Sequence, residues 1–534
     1  MHRILTLLLP LFAFASCGKS WDYPKGDSTI VVTLDEQPLA GGSFESGLDG
    51  WTLSGDATAA RAQDVACHGT KSLRIESGKD YSVQLKRSFS VAAGTYDLTF
   101  YFRKSSGAAD GIAYVTAGNR STTLQVCPNY WNNGVIKGIK VDGGQLDVTI
   151  TAKGNADEWV DLDYFVISNS EPYLMWQGGD LSRSTEVEAA GGSFTENGTV
   201  KPVETICAQN GWNLVRLRLY NDPGNPDWFP SNNMPAFMGW DDVLAMARRV
   251  KAAGMDILLS FHYSDAWSNP GEQVIPHEWR GQSDEQLVQS VYNYTKSFME
   301  AMKAQGTEPV LVSIGNESNA GMLFQESVEA ANAPSEASKL NLIRSRVNNM
   351  KFFADLVNAA GKAVKEVSPE CQTTIHISNA GANYQHVLDG LRSSGAEYDI
   401  IGSSYYPYWT GRYASQIRTW ADGLYESYGK DVLLLETGYN WAPTTPSGGI
   451  GQLVNNGPYQ YDYPSSPIGQ KNYMLELVSE IKKGKHILGY LFWDPVYIHV
   501  DGAPRLRDNF NSNATLFDFT GERLPSFDAY KYNK

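Results

Sequence analysis

Two carboxylates stand where chemistry is expected. The run Leu311-Val312-Ser313-Ile314 stops at Gly315-Asn316-Glu317, and Val432-Leu433-Leu434-Leu435 leads straight into Glu436-Thr437-Gly438-Tyr439. Short apolar runs of this kind, bounded by Gly or Pro, read as strands buried on both faces, as in a parallel sheet. A carboxylate gains nothing from packing at the C-terminal end of such a strand. In a (β/α)8 barrel, however, that is the end where catalytic groups collect. Two glutamates at two strand ends are the minimal equipment of a glycosidase working with a pair of carboxyl groups. The plainer interpretation, that each Glu merely terminates a strand at the surface, suits one of them. It suits the pair poorly, with Asn before one and Thr-Gly-Tyr after the other.

Positioning both carboxylates requires the strands around them. Eight candidates follow residue 172: Leu174–Gly178, Asn213–Leu219, Asp256–His262, Val310–Gly315, Thr373–Ile377, Asp399–Tyr405, Val432–Glu436 and Leu488–Trp493. Helical patterns separate most of them. In Ser283–Gln305, Ser283 and Gln286 form a capping box, Leu287, Val291, Tyr294, Phe298 and Ala301 share a face, and Gly306 is the stop. Ser338–Gly361 repeats the design through Leu342, Val347, Met350 and Leu356. Eight βα units in succession predict a (β/α)8 barrel rather than an open sheet.

The ends of these strands hold most of the polar and aromatic residues worth singling out. In Val215-Arg216-Leu217-Arg218-Leu219, alternation turns Arg216 and Arg218 toward the barrel interior. A buried arginine needs a carboxylate partner, and the strand-end glutamates are available. His262, Asp265 and Trp267 follow the third strand, Tyr406 the sixth and Trp493 the eighth. Asp180, after the first strand, is read as a loop brace. The long loop from Asn440 to about Gly469 is rich in Gly, Pro, Tyr and Asn, as a substrate groove would be.

The rest of the chain sets the context. At 534 residues it is too long for one core. The formal net charge of −15 argues against binding nucleic acid through a basic patch. Residues 1–17 read as a lipoprotein-type export signal: Met1-His2-Arg3, an apolar run from Ile4 to Phe14, then Ala15-Ser16-Cys17, with Cys17 the lipidation site. The run is too short for a permanent membrane span, so membrane contact is expected only through a lipid anchor. The protein is expected to be exported and held at a bacterial outer membrane or cell surface, with secretion or a periplasmic location as the alternative. Residues 18–40 form a polar tether that includes a short Thr29–Leu34 strand. Residues 41–170 have an all-β pattern, with strand-like runs such as Tyr81–Leu85, Tyr96–Phe102, Ile112–Val115, Val135–Val141 and Leu146–Ile150, and predict a sandwich or jelly roll. Trp51, after Gly-Leu-Asp-Gly, is read as a core residue rather than a binding platform. Residues 171–534 form the barrel domain, so the fold is multidomain. Cys67 and Cys127 are a possible disulfide in an exported protein, and no Cys/His spacing suggests zinc.

Taken in order, the phrases Gly-Gly-Asp-Leu-Ser, Val-Arg-Leu-Arg-Leu, Phe-His-Tyr-Ser-Asp-Ala-Trp, Gly-Asn-Glu, Ser-Tyr-Tyr-Pro-Tyr-Trp, Glu-Thr-Gly-Tyr and Leu-Phe-Asp-Phe-Thr-Gly resemble glycoside hydrolase family 53, the endo-β-1,4-galactanases. The resemblance covers about 173–534. Phrases within 41–168, such as Gly42-Ser43-Phe44-Glu45-Ser46-Gly47, resemble jelly-roll carbohydrate-binding modules, and a spacer without ligand is the alternative there. The family resemblance implies a retaining endo-galactanase acting on β-1,4-galactan in type I arabinogalactan side chains of pectin. Glu317 would be the general acid/base and Glu436 the nucleophile. Asn316 would hydrogen-bond the sugar 2-hydroxyl, a contact that strengthens at the transition state. Arg216 or Arg218 would hold Glu436 ionised by ion pairing. Tyr406 would hydrogen-bond the nucleophile, Trp493 would floor the −1 sugar site, and His262, Asp265 and Trp267 would shape neighbouring subsites. No cofactor is required, and a monomer is expected. Structural calcium occurs in some members, but no Asp-x-Asp-x-His-like run supports it between Asn440 and Gly469. Tyr220 and Asp494 depart from the Trp and Glu common in the family. Two alternatives stay open: another retaining endo-glycanase of the clan, acting on mannan or xylan, and a surface glycan-binding lipoprotein without catalysis.

Overall fold

The computed structural model describes residues 37–105, 112–124, 127–169, 175–225, 237–325, 349–378, 384–410, 414–454, 463–507 and 509–533. The predicted export signal, Cys17 and the Thr29–Leu34 strand lie outside these residues, as does the side chain of Cys127. The chain divides into two compact units, with the break between Ile167 and Ser168.

The first unit is a two-sheet β structure. In one sheet Trp159–Asn169 lies between Ser72–Glu76 and Gly94–Lys104, flanked by Ala60–Gln63 and Cys127–Val141. In the other, Gln145–Gly154 lies between Tyr81–Ser90 and Ile112–Ala117, flanked by Thr52–Gly55 and Arg120–Thr123. The strand Tyr81–Ser90 shows why: Tyr81, Val83, Leu85 and Phe89 are buried while Ser82, Gln84 and Lys86 face water, the period-two pattern of a sheet with one wet face. Trp51 is buried and stacks on Phe44 at 5.5 Å between ring centres, with Phe89 and Phe165 edge-on to it. It is a core residue, as expected.

The second unit is a closed barrel of eight parallel strands. In chain order these are β1 (Trp176–Asp180), β2 (Leu214–Leu219), β3 (Asp256–Phe261), β4 (Leu311–Ile314), β5 (Gln372–Ile377), β6 (Ile400–Tyr405), β7 (Val432–Thr437) and β8 (Ile487–Phe492). Each corresponds to a predicted strand. The helix Asp284–Ala304 between β3 and β4 carries the predicted capping box, with Ser283 Oγ accepting from the Gln286 amide and Gln286 Oε1 accepting from the Ser283 amide. Its buried face is Leu287, Val291, Thr295, Phe298, Met299 and Met302. The helix before β5 runs Met350–Val367 rather than stopping at Gly361, because Ala363, Val364 and Val367 continue its buried face. The earlier part of that predicted helix, Ser338 to Val347, lies outside the described residues.

Inside the barrel, Leu214, Leu258, Leu311, Ile400, Leu433, Leu435 and Leu491 form an apolar plug. Gly402 of β6 leaves room for it: a Cβ there would come 2.4 Å from Leu435 Cδ1. Toward the C-terminal ends of the strands the inward positions turn polar, with Arg216, Arg218, Ser260, His262, Ser313, His376 and Ser404, all buried. Polar groups in such a place must satisfy one another, and the site is built from the way they do so.

Candidate active site

Three strand ends turn sharply through left-handed backbone. Tyr263, Glu317 and Asp494 have φ of 50°, 46° and 45°, a conformation that costs a side-chain-bearing residue roughly 1–2 kcal/mol and that clusters at functional sites. Each follows directly on a residue that the sequence nominated: His262, Asn316 and Trp493. Before Glu317 the turn also needs Gly315, whose φ is 78° and where a Cβ would meet Ser318 Oγ at 2.6 Å and Met322 Sδ at 2.9 Å.

Glu436 reaches the site by another device. Strict alternation along β7 would send Leu433 and Leu435 inward and Glu436 outward. The pairing is irregular here: Ser403 faces Leu434, but the next residue, Ser404, faces Glu436. Such a bulge re-aims a side chain, and it brings Glu436 to the mouth above Leu435. Nearest donor or acceptor atoms of Glu317, Glu436 and His376 then lie within 4.8 Å of one another. Such an approach of single oxygens is in keeping with a retaining pair, whose carboxyl groups stand roughly 5–5.5 Å apart, and is short for the roughly 6.5–9.5 Å of an inverting pair.

The two carboxyl groups sit in opposed surroundings. Glu436 accepts from Arg216 Nη1 at 2.5 Å and from the Tyr406 hydroxyl at 3.0 Å. Burial, reinforced by the two glutamates, pushes the Tyr406 phenol well above its ordinary value, so it stays protonated and donates. Glu317 is half-buried and pairs with no cation among the described residues; Ser404 Oγ is 2.7 Å from its Oε1. Burial, and next the negative charge of Glu436, raise the Glu317 carboxyl to about 8, against the weaker opposing effects of a Ser404 hydroxyl donating to the carboxylate form and of the Arg216 charge. One carboxylate balanced by an arginine beside one carboxyl that keeps its proton is the division of labour that acid–nucleophile pairs need.

The two arginines have different tasks. Arg216 bridges Glu436 and Asn316, donating through Nη2 to Asn316 Oδ1 at 2.5 Å. Arg218 pairs instead with Asp180, at 3.0 Å from Nε, and with Asp494. Arg218 therefore supports the site through these aspartates and has no direct bond to the nucleophile. Asp180 is a brace, as expected, its other oxygen accepting from the Ser182 amide at 2.9 Å. Asp494 binds Arg218 and Arg183.

The other nominated residues lie around this centre. Asn316 donates to the Ser268 carbonyl at 2.7 Å, which leaves its second amide hydrogen for a ligand. His262 accepts from the Ser268 amide through Nδ1 at 3.1 Å. Burial, and then the charges of Arg216 and Arg218, push it well below its ordinary range. It is thus neutral with its proton on Nε2, which has no partner among the described residues. Trp267 and Trp493 lie 5.3 Å apart and pack with Tyr406 and Leu453 into an apolar wall. The Trp267 indole N–H has no acceptor among the described residues. Asp265 accepts from Asn225 Nδ2 at 2.8 Å and the His277 amide at 2.7 Å, so its part is to tie loops together. Sequence reasoning passed over His376 and Ser404. His376 is wholly buried and bonded to Asn316 and Ser404. A signal was available, because the alternation of β5 turns Ile375 and Ile377 outward and so sends His376 inward beside Thr374, as it sends the two arginines inward in β2.

Two carboxylates and an imidazole this close would suit a divalent cation, but both His376 nitrogens are committed and Arg216 already balances Glu436. We read the cluster as proton-transfer machinery. Among the described residues, no further group of metal-binding side chains lies in the loop after β7.

Comparison with known proteins agrees with this geometry. Residues 176–530 match the model of the family described as Glycosyl hydrolase family 53. An uncharacterised protein of Niallia circulans is 34% identical over 66% of this chain and 93% of its own length. An arabinogalactan endo-β-1,4-galactanase of Cellvibrio japonicus is 29% identical over 68% of this chain and 92% of its own. The solved family 53 catalytic domain of Ignisphaera aggregans superposes with a TM-score of 0.58 at 29% identity, covering 67% of this chain and 96% of that one.

Proposed function

This chain belongs to glycosyl hydrolase family 53, and on that premise we propose that it is an endo-acting hydrolase of β-1,4-galactan, working by double displacement with retention. The observation that carries the reading is the close Glu317–Glu436 pair with its unequal surroundings. In the first step Glu436 attacks the anomeric carbon while Glu317 gives its proton to the departing glycosidic oxygen. In the second, Glu317, now a carboxylate, takes a proton from water as its oxygen displaces Glu436. Asn316 supplies an amide hydrogen for the 2-hydroxyl, and His262 Nε2–H faces a sugar hydroxyl. Trp493 and Trp267 offer the apolar wall against which a sugar ring packs. The choice of galactan rests on the named activity of the Cellvibrio relative, which shares the length of the catalytic unit.

The test is a reducing-sugar assay on β-1,4-galactan, mannan and xylan, with NMR of the first product. Release from galactan with a β-configured new reducing end is expected. Preferential release from mannan or xylan overturns the substrate, and an α-configured first product overturns the mechanism.

We also propose that Cys17 carries a lipid anchor that holds the enzyme at a bacterial surface. The support is the basic, apolar and small-residue order of Met1 to Cys17. Cys17→Ala is expected to move the protein from the membrane fraction to the soluble one, and unchanged membrane association would refute the anchor.

A further inference from the structure

A continuous chain of hydrogen bonds joins the two catalytic carboxyl groups. Glu317 Oε1 is 2.7 Å from Ser404 Oγ, which is 2.9 Å from His376 Nε2. His376 Nδ1 is 2.9 Å from Asn316 Oδ1, which accepts from Arg216, and Arg216 donates to Glu436. The direction of each bond follows from its neighbours. Asn316 Nδ2 is spent on the Ser268 carbonyl, so the oxygen of that amide faces both Arg216 and His376. A guanidinium only donates, and an amide oxygen only accepts; His376 Nδ1 must therefore carry a hydrogen. The charged and titratable groups around the imidazole are Arg216, Glu436, Glu317 and His262. Arg216 stands bonded to Glu436, and burial together with the Arg216 charge holds His376 neutral. Its Nε2 is then a bare acceptor, and Ser404 is its partner. While Glu317 keeps its proton, the single hydroxyl hydrogen of Ser404 goes to His376 and the Ser404 lone pair accepts from the Glu317 carboxyl; toward a Glu317 carboxylate the same contact runs the other way, with Ser404 donating to Oε1.

We infer that His376 and Ser404 are positioning residues that keep the proton on Glu317 in the resting enzyme, because the hydroxyl between them cannot donate to a Glu317 carboxylate without leaving His376 Nε2 opposite a lone pair. The inference rests on the acid/base role of Glu317. It has a consequence for both steps. Once Glu317 has protonated the leaving oxygen, Ser404 swings its hydrogen to the new carboxylate and the mismatch with His376 appears. The mismatch is relieved when Glu317 takes a proton from the attacking water. The same two residues thus favour the acid at the start and the base at the end.

Nitrogen NMR of the full-length protein labelled with 15N-histidine tests the order directly. The expected result is a neutral His376 protonated on Nδ1; protonation of neutral His376 on Nε2 would overturn it. A second readout is the basic limb of kcat/KM against pH, followed with galactan. A donor to the charged form of a carboxyl lowers its pKa. In His376→Leu the Ser404 hydroxyl is released to donate, so the limb should move toward acid by about one pH unit, on the scale of a single such bond. Ser404→Ala removes donor and director together, so its limb should not move toward acid. The double variant should behave like Ser404→Ala. An unmoved limb in His376→Leu, or an equal acid shift in Ser404→Ala, sinks the proposal, and if His376→Leu fails to fold the tautomer measurement still decides it. Failure of the functional reading looks different: the wild-type chain would not cleave galactan, whatever the tautomer.

Discussion

Glu436→Ala is expected to abolish turnover of galactan and of an activated aryl β-galactoside alike, on the scale of about 10⁶-fold that loss of a covalent nucleophile can reach. Glu317→Ala is expected to behave differently. Removing the acid should cost galactan about 10²–10⁴-fold, the worth of general acid catalysis. The aryl substrate has a leaving group that needs little protonation, so the glycosyl-enzyme should still form and then wait for a base. Azide needs no deprotonation and should release it, giving the β-galactosyl azide from the face that water would have used. In Glu436→Ala, azide can enter the space left by the nucleophile and displace the aglycone once, giving the α-azide. NMR of the two products reads the assignment. It follows from Arg216 and Tyr406 both pointing at Glu436 while Glu317 is held protonated. Exchanged anomers would reverse the two roles and leave the pair intact.

Arg216→Met is expected to lower both stability and rate. Arg216 is wholly buried and bonds Glu436, Asn316 and, at 3.3 Å, Ser260. Taking away one partner of a buried ion pair leaves the other charge stranded and costs about 3–5 kcal/mol, which urea unfolding should register. The rate should fall by at least about 10²-fold, since misplacing the nucleophile and Asn316 by an ångström is enough for that. Arg216→Lys sharpens the test. It keeps the charge, but a compact ammonium cannot reproduce a planar fork holding two partners. It should recover much of the stability and little of the rate. Recovery of both would mean that Arg216 acts through charge alone and does not orient Glu436 against Asn316.

Much of this enzyme is legible in its residues because strands and helices announce themselves by period. The barrel strands, the capped helix after Ser283 and the sandwich alternation in Tyr81–Ser90 all follow from local patterns of apolar and polar side chains. So does the pair Glu317 and Glu436, since a carboxylate ending a buried strand has no packing reason to be there. The inward face of Arg216 and Arg218 was readable too, as was their need for acidic partners.

Which acid each arginine meets was not. Arg216 and Arg218 share one face of one strand and both lie within ion-pair distance of Asp180, yet one step along it changes the hydrogen-bonded carboxylate from Glu436 to Asp494. Their height relative to β7 and β8 depends on the stagger of the closed barrel, a property of eight strands together. Glu436 itself violates the alternation that placed the arginines, and only the slipped pairing at Ser403 and Ser404 turns it inward past Leu435. Residue order carries the period of a strand, but a bulge arises from how two strands are paired. The same holds for His376: its neighbours in sequence are Ile375 and Ile377, while its bonds run to Asn316, in the turn that follows β4, and to Ser404 on β6. The chemical groups were present in the order of residues; closure of the barrel chose which of them touch.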